Sequence, residues 1–122
     1  MGGRSLALVV AALAWVPAPS PAGTWRGVLD LAGGQLRFGL EVARAGPGWR
    51  GRLCNGAECQ PLSGVRVNGD SLVLEIADYA ATITATLSGD SLAGSFRNVG
   101  NRGPRTIPFH ASRGVWPVQA GS

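Results

Sequence analysis

Residues 64–76, GVRVNGDSLVLEI, decide the fold class of this chain because they contain a complete β-hairpin signal. Apolar side chains stand at every second position on both sides of a central Asn-Gly pair: Val65 and Val67 precede Asn68-Gly69, and Leu72, Leu74 and Ile76 follow it. An Asn-Gly pair between alternating apolar residues is the strongest short-range indication of a two-residue hairpin turn. The stretch therefore predicts two antiparallel strands, each with one buried face.

The same period-two alternation recurs along the rest of the chain and predicts eight strands in total, each joined to the next by a tight turn. The inward positions of the other six strands are Trp25, Gly27, Leu29 and Leu31; Leu36, Phe38, Leu40 and Val42; Trp49, Gly51 and Leu53; Ile83, Ala85 and Leu87; Leu92, Gly94 and Phe96; and Ile107, Phe109 and Ala111. No helical period is persuasive after residue 22. We therefore predict an all-β, eight-stranded antiparallel meander that closes into a small up-and-down barrel, with a two-sheet sandwich as the alternative.

The first 22 residues have the layout of a secretory signal peptide. Arg4 supplies the positive charge, residues 5–16 are an apolar run, and Ser20-Pro21-Ala22 provides small residues before a cleavage site. A membrane anchor is the alternative, but the run is shorter than the roughly 20 residues that a spanning helix needs. We expect an extracytoplasmic protein, periplasmic or secreted, that has no membrane span after cleavage. The β-barrel domain would then occupy residues 23–114, and residues 115–122 would be a linker or a free end.

The charge distribution argues against nucleic-acid binding. The chain of 122 residues has a net charge of +4, which falls to +3 when Arg4 is removed with the signal peptide. The arginines are spread singly and alternate with acidic residues, so no basic run is present. A nucleic-acid interface needs a basic patch, usually with outward aromatic residues on which bases stack.

Cys54 and Cys59 flank the bend Asn-Gly-Ala-Glu between two predicted strands. Residues on either side of a four-residue hairpin loop lie opposite each other, at a distance that a disulfide spans. In an exported protein we therefore predict a cross-strand disulfide, and a redox-responsive form of the same bond stays open as an alternative. A redox motif would require Cys-x-x-Cys at a helix start, and zinc would require about four ligands. Two cysteines and the distant His110 do not supply them, so no metal site is predicted.

Three strands pair a large inward residue with an inward glycine two positions later: Trp25 with Gly27, Trp49 with Gly51, and Leu92 with Gly94. Glycine inside a strand usually marks a bend or a close approach of another backbone. A second hypothesis is that the missing side chains leave room for a ligand. On that hypothesis the predicted ligand-binding residues are Trp25, Gly27, Trp49, Gly51 and Phe96.

The string Gly-Asp-Ser-Leu occurs twice, at residues 69–72 and 89–92, and resembles the signature of a family of serine esterases. Both copies fall in predicted hairpin turns, where Gly supplies the positive φ. A serine nucleophile also needs a base within hydrogen-bond reach. The chain's one histidine, His110, is predicted on the outward face of the last strand. We therefore predict no catalytic residues in Ser71, Ser91 or elsewhere, and no cofactor.

Two family resemblances are present. Gly23-Thr24-Trp25 at the start of the first strand resembles the Gly-x-Trp opening of lipocalins and other calycin barrels. Nearly the whole of residues 23–114 resembles the β-rich N-terminal module that precedes the thioredoxin-like domain in some exported TlpA-type disulfide reductases; related modules precede some α/β-hydrolases. The stretches that carry this second resemblance are GTWRGVLDLAGGQLRFGLEV, GWRGRLCNGAE, VNGDSLVLEI, LSGDSLAGSF and IPFHASRG.

The TlpA-type resemblance implies an accessory role, in recognition or positioning, beside a thioredoxin-like domain in cis or in trans. The Trp-Cys-x-x-Cys motif of such reductases is absent from the 122 residues, so no catalytic role carries over to Cys54 or Cys59. The calycin resemblance implies instead a stand-alone binder of a small apolar molecule. An enzyme is the third and least favoured hypothesis.

Overall fold

The computed structural model describes residues 19–100 and 103–117. Most of the predicted signal peptide, residues 1–18, and the end of the predicted tail, residues 118–122, lie outside the described residues. The strands over the described residues are β1 (Gly23–Leu31), β2 (Gly34–Ala45), β3 (Gly48–Asn55), β4 (Glu58–Pro61), β5 (Gly64–Asn68), β6 (Ser71–Ile76), β7 (Ala81–Ser88), β8 (Ser91–Gly100) and β9 (Gly103–Arg113). A short 3-10 helix, Ala77–Tyr79, connects β6 to β7.

The strands form one antiparallel sheet in the order β4-β3-β2-β1-β9-β8-β7-β6-β5. Strands that follow each other in sequence are hydrogen-bonded neighbours everywhere except between β4 and β5, and β1 also pairs with β9. The sheet is therefore a curled half-barrel with one gap, between β4 and β5. The all-β class and the antiparallel meander are confirmed. The strand count differs from the predicted eight, because the described residues form nine strands, of which β4 is the additional one.

The gap begins where the chain passes from one pairing partner to another. Leu62 N donates to Gly51 O at 2.8 Å, which continues the β3–β4 ladder, and Ser63 N donates to Glu75 O at 2.9 Å, which starts the pairing with β6. Since hydrogen-bonded pairs alternate along an antiparallel ladder, Cys59 and Pro61 direct their backbone groups away from β3. Pro61 has no N–H to donate on that free edge, which is the place in a sheet where proline is tolerated. The sequence thus ends β4 without a second neighbour.

The hairpin that opened the sequence analysis has the predicted register. Val65 pairs with Leu74 and Val67 with Leu72, across a turn in which Gly69 has a φ of +64°. The side chains predicted inward form the core, and its largest fully buried members are Trp25, Leu40, Leu72, Leu74, Ile83, Leu92 and Phe109. Most of these lie toward the end of the sheet that carries the β2–β3, β5–β6 and β7–β8 turns, which we call the closed end. The opposite end, with the β1–β2 and β3–β4 turns and the 3-10 helix, is the open end.

A second, smaller apolar contact lies on the outer face of the sheet. Val28 points outward between Arg37 of β2 and His110 of β9, yet it is only 6% exposed. Trp116 lies beside it, since its Nε1 donates to Phe38 O at 2.9 Å and the Arg37 guanidinium lies 4.7 Å from the centre of its ring. Residues 115–117, predicted as the start of a linker or free end, thus lie against the sheet.

The two ends of the folded region are held together by β1, β9 and one arginine. Arg113 Nη1 donates to Ala22 O at 2.6 Å, and the guanidinium lies 4.1 Å from the centre of the Trp25 ring. Trp25 Nε1 donates in turn to Pro21 O at 2.8 Å. These contacts fix the segment before β1 against the start of β1 and the end of β9. Over the described residues, no helix has the length and apolar character needed to cross a bilayer.

Candidate functional site

A cavity of about 590 Å³ lies at the open end of the sheet. Its floor and walls are mainly apolar and come from six strands: Leu29, Phe38, Leu53, Ile76, Ile83 and Phe96 are the principal side chains. Phe38 also packs on Phe109, with ring centres 6.0 Å apart, and so joins the cavity floor to the core. The cavity is therefore an apolar space that continues the core toward solvent.

The cavity exists because β4 brings no apolar side chain into the interior. Gln60 pairs with the inward residue Leu53, so Gln60 and Glu58 occupy the inward positions of β4. Long polar side chains keep their ends in water and do not fill an apolar interior. Across the gap, the 3-10 helix offers the small side chain of Ala77. One side of the open end is consequently left unfilled, whereas the closed end is packed.

The mouth of the cavity carries polar groups from both sides of the gap. Glu58 and Gln60 line it on β4, and Asp78 lines it on the 3-10 helix. Neither carboxylate forms an ion pair with another residue in the described ranges. Arg37 also lines the cavity, but its guanidinium lies on the Trp116 ring. The mouth therefore has two unpaired acids and one partly engaged base.

Of the five predicted ligand-binding residues, the cavity includes Phe96 and does not include the other four. Trp25 is 1% exposed and belongs to the core at the closed end. Trp49 packs against the edge of that core, with the Arg44 guanidinium 4.9 Å from the centre of its ring. Both tryptophans thus contribute to packing in this structure.

The two predicted glycines border spaces that protein atoms already occupy. A Cβ on Gly27 would lie 2.7 Å from the Phe38 ring, and one on Gly51 would lie 2.8 Å from Glu41 O and 3.0 Å from Leu62 Cδ1. Such distances are too short for a methyl group, so these positions need glycine because neighbouring groups approach closely. The geometry favours close approach over ligand space at both sites.

Sequence analysis missed the residues on both sides of the gap. Ile76, the 3-10 helix and the inward positions of β4 all line the cavity, and none was a predicted ligand contact. Two signals were present in the sequence. The alternation stops at residues 77–80, where Ala80 adopts a φ of +48°, and the stretch Glu58–Pro61 has no large apolar residue.

The two cysteines form the cross-strand pair that the sequence predicted. Cys54 and Cys59 are directly opposite each other on β3 and β4, with the two Sγ atoms 2.02 Å apart, as in a disulfide. The pair is half-buried at the rim of the gap. Glu41 Oε2 lies 4.0 Å from Cys54 Sγ, and the ligand atoms of these three residues lie within 4.8 Å of one another. Because each sulfur is bonded to the other, the cluster offers no thiolate to a metal ion.

Glu41 also forms the ion pair of the same outer face, in which Arg52 Nε donates to Glu41 Oε1 at 2.8 Å. This hydrogen bond, together with the negative charge of the carboxylate, raises the pKa of Arg52 above its usual range. Arg52 therefore stays charged, and the carboxylate stays committed to a cation.

The Gly-Asp-Ser-Leu repeats lie in turns, as predicted. Gly69 and Gly89 have φ values of +64° and +61°, and Ser71 and Ser91 begin β6 and β8 at the closed end. His110 lies on the outer face, where its Nε2 is 3.4 Å from Asp30 Oδ2. That carboxylate comes from β1, at the opposite end of the sheet from Ser71. The repeats thus have a conformational role in two equivalent hairpins.

Comparison of the chain with protein-family models, with curated proteins and with solved structures finds no match.

Proposed function

We propose that this chain is a non-catalytic, exported β-module that binds a small apolar molecule in the cavity at the open end of its sheet. The observation that carries the proposal is the apolar cavity of about 590 Å³ beside the gap between β4 and β5. Small-molecule sites are typically concave, mainly apolar and roughly 300–1,000 Å³ in volume, with a few polar groups that orient the ligand. No cofactor or metal enters the proposal.

The expected affinity follows from the apolar area that a ligand would bury. A molecule that buries about 400 Å² of its own apolar surface gains roughly 10 kcal/mol at 25 cal/mol per Å². Loss of rotational and translational freedom offsets about 4 kcal/mol or more of that gain. The remainder, about 6 kcal/mol, corresponds to a dissociation constant in the range of tens of micromolar.

The test uses Nile red, a neutral apolar dye whose emission rises in apolar surroundings. We expect the native chain to bind it with a dissociation constant in the micromolar range and to release it to an apolar competitor. The substitution Ala77→Trp should abolish binding because Ala77 lines the cavity and the indole would fill it. Ala93→Trp is the matched control, since Ala93 is exposed on the outer face of β8. Absence of dye binding by the native chain, or equal loss in both variants, would refute the proposal.

A second candidate function is an accessory role beside a TlpA-type, thioredoxin-like domain in cis or in trans. One observation favours it: the Cys54–Cys59 pair is half-buried on an edge strand, where a dithiol of a partner has access. In the exchange, a thiolate of the partner attacks one sulfur, the protein disulfide becomes two thiols and the partner dithiol becomes a disulfide. Alkylation and mass measurement after incubation with a thioredoxin-like reductase would detect the two thiols. No alkylation, under conditions where dithiothreitol produces it, would count against this role.

We also propose that β4 and β5 act as one interrupted strand, so that eight strands form a closed barrel with an incomplete side. The hydrogen bonds of Leu62 N and Ser63 N support this because they join β3 and β6 through consecutive residues. Amide hydrogen exchange tests the idea: both amides should be protected to the degree seen within β6. Exchange as fast as that of the turn residue Gly56 would contradict it.

A further inference from the structure

We propose that the cavity selects apolar molecules with a positively charged amine at one end, and discriminates against apolar carboxylates. This inference rests on the proposed binding function and names the class of its ligand. It follows from the charges and the available hydrogen-bond donors at the mouth of the cavity, because the apolar walls accept either kind of molecule.

The fixed charges at the mouth give an excess of negative charge. Glu58 on β4 and Asp78 on the 3-10 helix face the gap from its two sides, and both are exposed. Arg37 contributes one opposing charge, and its guanidinium lies against the face of Trp116, on the outer side of the sheet. A ligand whose polar end reaches the gap thus meets two carboxylates and one guanidinium.

The donors that would bind a carboxylate at this site are mostly occupied. The backbone N–H of Ala77 donates to Ser63 Oγ at 3.0 Å, and the Ser63 hydroxyl donates to Glu75 O at 2.8 Å. Pro61, on the free edge of β4, has no N–H. A carboxylate needs donors to replace its lost water, whereas an ammonium group needs the acceptors that Glu58 and Asp78 provide.

The overall positive charge of the chain does not reverse this preference. The net charge of +4 is carried by arginines distributed over the surface. At physiological ionic strength, charges more than about 8 Å apart are largely screened, so the groups at the mouth dominate. Each exposed charge contact changes affinity by about two- to fivefold, and one net negative charge acts in opposite directions on an amine and on a carboxylate.

The test compares dodecylamine, dodecanol and dodecanoate as competitors of Nile red at neutral pH and low salt. These molecules have the same apolar chain and differ in charge. We expect dodecylamine to bind the native protein about fivefold or more tightly than dodecanoate, with dodecanol between them. Added sodium chloride should reduce the difference.

The double substitution Glu58→Gln with Asp78→Asn leaves Arg37 as the charge at the mouth, so the preference should reverse in favour of dodecanoate. Asp70→Asn is the matched control, because Asp70 is an exposed acid in the β5–β6 turn at the closed end and should leave the order unchanged. Equal or tighter binding of dodecanoate to the native chain would overturn this inference and leave the proposed function standing. Failure of all three competitors to displace the dye would overturn the proposed function itself. An unchanged order in the double variant would also refute the inference, since the two carboxylates would not be the cause.

Discussion

Gly94 of β8 offers a strict test of how closely the strands of this sheet approach one another. A Cβ at this position would overlap Thr84 O and would lie 2.7 Å from Ala85 Cα, both in the backbone of β7. Since ordinary contact begins near 3.4 Å, the substitution Gly94→Ala requires β7 and β8 to separate by at least about 0.7 Å. Backbone atoms of a paired strand cannot rotate aside as the end of a flexible side chain does.

The cost of that separation has two parts. Overpacking of a well-packed region costs about 1–3 kcal/mol, and each weakened backbone hydrogen bond adds about 0.5–1.5 kcal/mol. The lower entropy of the unfolded chain returns about 0.4–1 kcal/mol when glycine becomes alanine. We therefore expect Gly94→Ala to lower the free energy of unfolding by about 2–3 kcal/mol. For a domain of this size the midpoint of thermal unfolding should fall by about 8–20 °C.

Equilibrium urea unfolding, followed by far-ultraviolet circular dichroism, measures this change. Gly33→Ala is the matched control: Gly33 lies in the β1–β2 turn, and a Cβ there would meet nothing within 4 Å. The control should change the free energy of unfolding by about 0.5 kcal/mol or less. If both variants were equally stable, the close approach of β7 and β8 would be refuted, and with it the role of glycine in bending the sheet.

Three further predictions concern the disulfide, the outer face and the core. Replacing Cys54 and Cys59 together by Ala should lower the free energy of unfolding by about 2 kcal/mol, the loop entropy of a short ring, and dithiothreitol should then have no further effect on urea unfolding. Trp116→Ala should cost about 1–3 kcal/mol and change the near-ultraviolet circular dichroism, whereas Val115→Ala, at a side chain 69% exposed, should leave both unchanged. Leu40→Ala, at a side chain with no exposure, should cost about 2–5 kcal/mol in the same urea assay; a cost below 1 kcal/mol would contradict its place in the core.

The sequence predicted most of the sheet because neighbouring strands report their own pairing. A turn such as Asn68-Gly69 fixes the register of its hairpin, and alternation then fixes which side chains face inward. The disulfide followed from the same local geometry. Each of these predictions depended on residues close together in the chain.

The gap and the cavity were not predicted, because they depend on where pairing fails. Pro61 removes one donor, and Ser63 bonds to the backbone of β6 in place of a continued strand. Residues 61–63 carry the whole change of partner, and a pattern based on alternation does not represent it. The contact of Trp116 with β2 was missed for a related reason: a single aromatic residue in a polar segment has no period.

The pairing of β1 with β9 has a consequence for the time at which this protein can fold during its synthesis. Arg26 Nη2 donates to Arg113 O across 87 positions of the chain, and Arg113 also covers the Trp25 ring. Until residues 103–113 have been made, β1 and β8 each have an unpaired edge, and Trp25 lacks its cover. A ribosome must therefore translate almost the whole domain before the first strand acquires its second neighbour, and a chaperone that holds the nascent chain would act over that interval.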